Sequence, residues 1–229
     1  NYLGKAVVSG GIRRSALISF GEHNAREIMA IKLDQAAVLD RRFASNNSII
    51  TPVGMDYAYP ASLTAQNGEP GYFWLENARA YSRLIDLPDW KDERAMMTNP
   101  CAEQVLENAE LCCLVETFPA KHESLKDYIN TLKYAYMYGK TVSLIPCHSD
   151  RSNAVQMRNR RIGLSQSGII QAMNKFGRRQ YLGMCNEGYK YVRELDRIYS
   201  DWLCVPRSIK VSSIKPSGTT SLLAGATPG

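Results

Sequence analysis

The strongest periodic signal in the chain lies over 126–138, where Leu125, Tyr128, Ile129, Leu132, Ala135 and Tyr136 recur near a 3.6-residue spacing. Ser124 with Asp127 three residues on is an N-cap signature, and Gly139-Lys140 marks the expected stop. The same reading predicts helices over 24–42, 76–85, 166–175 (closed by Gly177) and 189–203 (ended by Pro206). Short apolar runs bounded by turn residues predict strands at 6–8, 16–20, 49–50, 71–75, 141–145 and 209–214. The proline-bearing stretch 51–70 reads as loop, with a tight turn at 67–71, and 86–94 and 158–163 read as polar and basic connectors. Strands alternating with helices make the class α/β.

Composition changes this picture little. With 229 residues, 45% of them hydrophobic, the chain is long enough for one sizeable core or two small ones. The net charge of +6 is spread over short clusters such as Arg13-Arg14 and Arg178-Arg179, so a small phosphate ligand suits it about as well as nucleic acid. The six cysteines and three histidines show no zinc-type spacing. No signal peptide opens the chain and no apolar run reaches membrane-spanning length, so the expected state is reduced thiols in a reducing cytosol. Both ends read as cut: the chain begins without Met and stops at Gly229 just after an apparent helix start.

Chemistry concentrates in three stretches. In Asn99-Pro100-Cys101-Ala102-Glu103-Gln104, Pro100 fixes its own φ and biases Asn99 out of the α region, so Cys101 sits on an extended or turn-like backbone. On an extended backbone Asn99, Cys101 and Glu103 project to one side, bringing amide, thiol and carboxylate together. Cys112-Cys113 follows at short range. Lys215-Pro216-Ser217-Gly218-Thr219-Thr220-Ser221 joins a strand to a helix start, where backbone N–H groups suit an anion, although the Walker pattern is missing. Near the start, Gly10-Gly11-Ile12-Arg13-Arg14-Ser15 brings glycine flexibility and guanidinium groups together. Plainer readings stand beside each: a buried filler thiol, a capped helix without ligand, a hairpin turn with surface arginines.

Taken together and in order, the 9–16 loop, Asn67-Gly68-Glu69-Pro70-Gly71, the Asn-Pro-Cys-x-Glu stretch running on to Glu116, and Lys215 to Thr219 resemble the catalytic barrel of ribonucleotide reductases. The likeness is nearest to the adenosylcobalamin-dependent class II enzymes of the monomeric, triphosphate-reducing type, and it runs over essentially the whole chain. It implies a partial ten-stranded α/β barrel with a central finger loop, 1–229 being one fragment of the barrel domain with both flanks missing.

By position, the resemblance makes Cys101 the thiyl-radical cysteine, Glu103 the base for the 3′-hydroxyl proton, Asn99 a holder of substrate hydroxyls, and Cys112 half of the reducing pair. Pro216, Ser217, Gly218, Thr219, Thr220 and Ser221 would bind the substrate phosphates. Gly10, Gly11, Arg13, Arg14 and Ser15 would relay effector occupancy. Cys113 matches no assigned role, and Ala102 stands where glycine is common in that family. The implied cofactor is adenosylcobalamin, contacted mostly outside this chain. The implied partners are a ribonucleoside triphosphate, a deoxynucleotide effector and a thioredoxin-type reductant, with no nucleic acid or membrane, in a cytoplasmic monomer. The alternatives are a diphosphate-reducing class II enzyme, a nucleotide-phosphate-binding module without catalysis, and a cysteine hydrolase using His122 or His148 as base.

Overall fold

The run at 17–20 does form a strand, β1 (Leu17–Glu22), parallel to β2 (Ser45–Ile50), which is parallel in turn to β3 (Gly71–Phe73). In this computed structural model, which describes residues 2–8, 16–40 and 42–228, the chain divides into two compact units, Asn1–Val105 and Leu106–Gly229.

In the first unit, Met29, Ile49 and Leu63 form the core with Tyr72 and Met55 against them. Several sequence expectations give way here. The 6–8 run is the end of helix α1 (Tyr2–Val8), since an apolar run this short fits either period. The expected 24–42 helix is two helices, α2 (Arg26–Met29) and α3 (Gln35–Asp40); the Asp34 carboxylate accepts the Ala37 N–H at 3.1 Å and so starts the second afresh. The 51–70 loop contains helix α4 (Ala58–Asn67), which tolerates Pro60 because its missing N–H falls in the first turn. Gly68, at φ 83°, caps it within the turn expected at 67–71. Helix α5 (Leu75–Ala80) is shorter than its predicted span. Beyond it β4 (Met97–Thr98) pairs with β5 (Val105–Leu106) across the 99–104 loop.

The second unit is built on β6 (Leu114–Thr117) parallel to β7 (Gly163–Gln166), with the 209–214 segment running alongside β7. That segment bridges through Ser212 opposite Leu164, and is extended chain rather than the full strand expected. Helices α6 (Leu125–Val142) and α9 (Arg178–Leu203) pack together over a core including Tyr128, Leu132, Tyr136, Ile162, Leu164, Leu195 and Tyr199. The Ser124 hydroxyl accepts the Asp127 N–H as expected.

Gly139 does not stop α6. A Cβ there would lie 3.0 Å from a Val115 methyl and 3.2 Å from one of Ile162, so this glycine lets the helix close on the strands. The 141–145 run is accordingly the end of α6 and a following turn, not a strand. Helix α7 (Asp150–Asn159) was not anticipated, α8 (Ile169–Phe176) begins past Gly168, and α9 begins at Arg178, eleven residues before its predicted start (189 − 178). The architecture is mixed α/β.

Candidate active site

The 99–104 loop is a tight turn rather than extended chain. Ala102 N–H donates to Asn99 O (2.9 Å), which places Pro100 and Cys101 at the two central turn positions, and Asn99 N–H donates to Gln104 O (2.9 Å). The alternation that would align Asn99, Cys101 and Glu103 on one face therefore does not apply, because a turn reverses the chain between them. Asn99 has a loop-holding task, its side-chain oxygen accepting the Gln104 N–H at 3.0 Å. Asn46, on β2, donates its side-chain amide to Pro100 O and ties the turn to the parallel sheet. Cys101 is exposed at the tip and Glu103 half-buried. Ala102 sits at φ 65°, a left-handed value that favours glycine.

In the second unit the two neighbouring thiols part company. Cys112 is exposed, whereas Cys113 is buried with its Sγ against Gly139 O at 3.4 Å, and burial pushes its thiol pKa up. The turn ahead of them is fixed by a buried carboxylate. Glu110 accepts from Arg161 Nε (2.9 Å), Asn159 Nδ2 (3.0 Å) and Glu107 N–H (2.7 Å), and the side chains of Glu110 and Arg161 are both 0% exposed. Sequence reasoning read 158–163 as a connector and missed this role; its one signal was a charged pair flanking apolar positions.

The Lys215–Ser221 turn lies at the carboxyl ends of β6, β7 and the 209–214 segment, the end of a parallel sheet where ligands bind. Ser217 and Ser221 are buried, with Ser217 Oγ accepting the Ser221 N–H at 3.0 Å, while Pro216, Gly218, Thr219 and Thr220 are exposed. The helix that follows, α10 (Thr220–Leu223), is a single turn, so the helix-end dipole expected there is weak. Glu116, on β6, enters the same cluster and sequence reasoning did not single it out. Burial raises its pKa, but the Ser167 and Ser217 hydroxyls and the Lys215 ammonium more than offset this and keep the carboxylate below its usual range.

The predicted effector loop, Gly10, Gly11, Arg13, Arg14 and Ser15, lies outside the described residues. His122 Nδ1 pairs with Asp127 at 3.0 Å, and His148 is exposed. Among the described residues no group of three or more His, Cys, Asp or Glu side chains could hold a metal ion. No described helix is long and apolar enough to cross a membrane.

The first unit thus carries a loop-borne thiol and the second a hydroxyl-rich turn at the end of a parallel sheet, and solved ribonucleotide reductases resemble the chain. A crystal structure of a B12-dependent class II ribonucleotide reductase matches all of this chain and 35% of its own with a TM-score of 0.88 at 30% identity. The Actinobacillus ureae class Id ribonucleotide reductase alpha subunit matches 95% of the chain and 49% of its own at 0.63 and 17% identity, a likeness of fold alone. No family model matches.

Curated relatives are more specific. A probable adenosylcobalamin-dependent ribonucleoside-triphosphate reductase of Dictyostelium discoideum is 52% identical over 232 aligned residues, covering 100% of this chain and 31% of the relative. The Euglena gracilis reductase of the same name is 48% identical, and that of Lactobacillus leichmannii 34%, with 32% and 35% of each covered. Over its whole length the chain is similar to adenosylcobalamin-dependent ribonucleoside-triphosphate reductases, and it spans about a third of the length of these relatives.

Proposed function

We propose that the complete protein reduces ribonucleoside triphosphates to 2′-deoxyribonucleotides by thiyl-radical chemistry, and that this chain is a segment of its catalytic barrel. The carrying observation is that the whole chain aligns, at up to 52% identity, with relatives bearing that activity in their names. In this reading both units belong to one ten-stranded α/β barrel domain, with the 99–104 loop as its finger.

Each residue then has a task. The Cys101 sulfur, as a radical, takes the hydrogen atom from ribose C3′ and later returns it. Glu103 takes the proton of the 3′-hydroxyl and Asn99 holds the sugar hydroxyls, as well as holding its own loop. Cys112 and a partner cysteine outside this chain give two electrons and two protons, so that the 2′-hydroxyl leaves as water, C2′ gains hydrogen, and the pair becomes a disulfide. A thioredoxin-type protein reduces that disulfide again. Residues 216–221 hold the triphosphate, and the 10–15 loop relays deoxynucleotide effector occupancy.

Adenosylcobalamin asks this chain for a thiol held where a radical can be passed to it, and Cys101 at the tip of a tight turn, with Ala102 N–H donating to Asn99 O, fits that demand. When bound, the cofactor supplies the radical by homolysis of its cobalt–carbon bond. Its own contacts are assigned to the rest of the complete protein. The enzyme in this reading is a cytoplasmic monomer that needs neither nucleic acid nor membrane.

The test is Cys101→Ser in the complete protein, with deoxyribonucleotide formation and nucleotide affinity measured side by side. Reduction is expected to fall to background while CTP still binds. Reduction that survives the substitution would refute the reading, as would a wild-type protein that binds nucleotides but reduces none.

A further inference from the structure

Three parallel chain segments end together in the second unit, and the side chain at their common end is a carboxylate. Glu116 lies next to the last residue of β6, Ser167 follows β7, and Lys215 and Ser217 follow the 209–214 segment. The Glu116 side chain is only 6% exposed. Its Oε1 accepts from the Ser167 hydroxyl; its Oε2 is buried and faces Lys215 Nζ at 3.5 Å. The backbone of Lys215 is anchored separately, its N–H donating to Ser165 Oγ at 2.7 Å, and its side chain remains 32% exposed.

A buried carboxylate in a phosphate-binding turn needs a reason. Direct contact with phosphate would be repulsive, and leaving the charge buried without a cation would be costly. Both difficulties vanish if the carboxylate acts through the ammonium beside it. We propose that Glu116 is the positioning residue of the phosphate cradle, holding Lys215 and the Ser217 turn at the strand ends so that the lysine meets the triphosphate in a fixed orientation. This rests on the phosphate reading of residues 216–221 given above. It assigns to Glu116 and Lys215 tasks that the sequence motif, which begins its phosphate contacts at Pro216, left out.

The test is equilibrium dialysis of labelled CTP, and of cytidine as a phosphate-free control, with the complete protein as wild type, Glu116→Gln, Lys215→Ala and the double variant. Each single variant is expected to weaken CTP about tenfold, equivalent to about 1.4 kcal/mol, and the double variant to be no weaker than Lys215→Ala alone. Cytidine binding should not change, and Glu116→Asp should recover part of the loss. Additive losses, cytidine weakened as much as CTP, or wild-type CTP binding by Glu116→Gln would overturn the proposal. If Glu116→Gln does not fold, the Ser167→Ala and Lys215→Ala pair reads the same coupling. Lys215→Ala weakened with Glu116→Gln unaffected removes the role of Glu116 alone. Pro216, Gly218 and Thr219 substitutions that all leave CTP affinity intact would instead remove the phosphate reading beneath it.

Discussion

The loop at 99–104 and the buried network around Asp196 are both polar, and they are held in opposite ways. In the loop, Cys101 stands in solvent on a turn fixed by main-chain bonds, the Asn99 side chain and one tie from Asn46. In the network, Asp196 accepts from Lys140 Nζ (2.8 Å), Tyr136 Oη (2.8 Å) and Ser208 N–H (3.0 Å), and Lys140 also donates to Pro206 O at 3.2 Å. The hydrogen bonds around the thiol act on the main chain, so what they fix is the turn. A charge that holds helices together has to be enclosed, so each of its atoms needs a partner. Substitutions in the two regions should therefore register in different measurements, reaction in one and stability in the other.

The largest expected effect comes from removing one side of the enclosed pair. Burial already lowers the pKa of Lys140, and the Asp196 carboxylate offsets this only in part. Asp196→Ala leaves that ammonium enclosed without its counter-charge, with a cost of about 3–5 kcal/mol. It should show as a lower urea midpoint and faster hydrogen exchange along α6 and α9. The apolar pair Lys140→Met with Asp196→Leu should recover most of the loss, since no charge is then left buried. Cys101→Ser should move neither observable. If it did, the division between the two regions would fail.

That division also explains what the sequence could and could not reveal. The α6 cap was readable because Ser124 and Asp127 are local, and the loop thiol was readable because Pro100 and Cys101 adjoin. The end of α6 was not: Gly139 looks like a stop, and only its approach to Val115 and Ile162, far along the chain, shows it to be a packing position. Glu110 with Arg161, and Glu116 with Lys215, are pairs separated by 51 and 99 residues (161 − 110 and 215 − 116), and no local pattern announces them. The 209–214 and 163–166 stretches run side by side, yet only the first has the β-branched composition that draws attention.

A finer form of the same contrast lies within two adjacent residues. Cys112 and Cys113 share a backbone and differ in burial, so iodoacetamide should modify Cys112 readily and Cys113 only when the unit opens. The raised pKa of Cys113 gives the sign of its pH dependence. Its folded pKa exceeds the unfolded value of 9.0, so its share of stability is intact below that pH and is lost as pH rises through the folded pKa. Cys113→Ala should remove that alkaline loss, measured as the change in unfolding midpoint on moving from neutral to alkaline buffer. Rapid labelling of Cys113 in the native protein would contradict the burial that separates the two thiols.

The smallest effect tests the loop itself. Ala102 holds φ 65°, where a Cβ costs about 1–2 kcal/mol relative to the right-handed region, while glycine pays no such penalty but gives up about 0.4–1 kcal/mol through the unfolded chain. Ala102→Gly should therefore be stabilising by something under about 1 kcal/mol, and it should leave the Asn99 and Gln104 bonds in place because the turn geometry is already the one glycine prefers. Ala102→Val, β-branched at the same φ, should be clearly destabilising. Thermal midpoints of the two variants decide it: if valine is tolerated as well as glycine, residue 102 is not held left-handed, and the tight turn that presents Cys101 is not the one described.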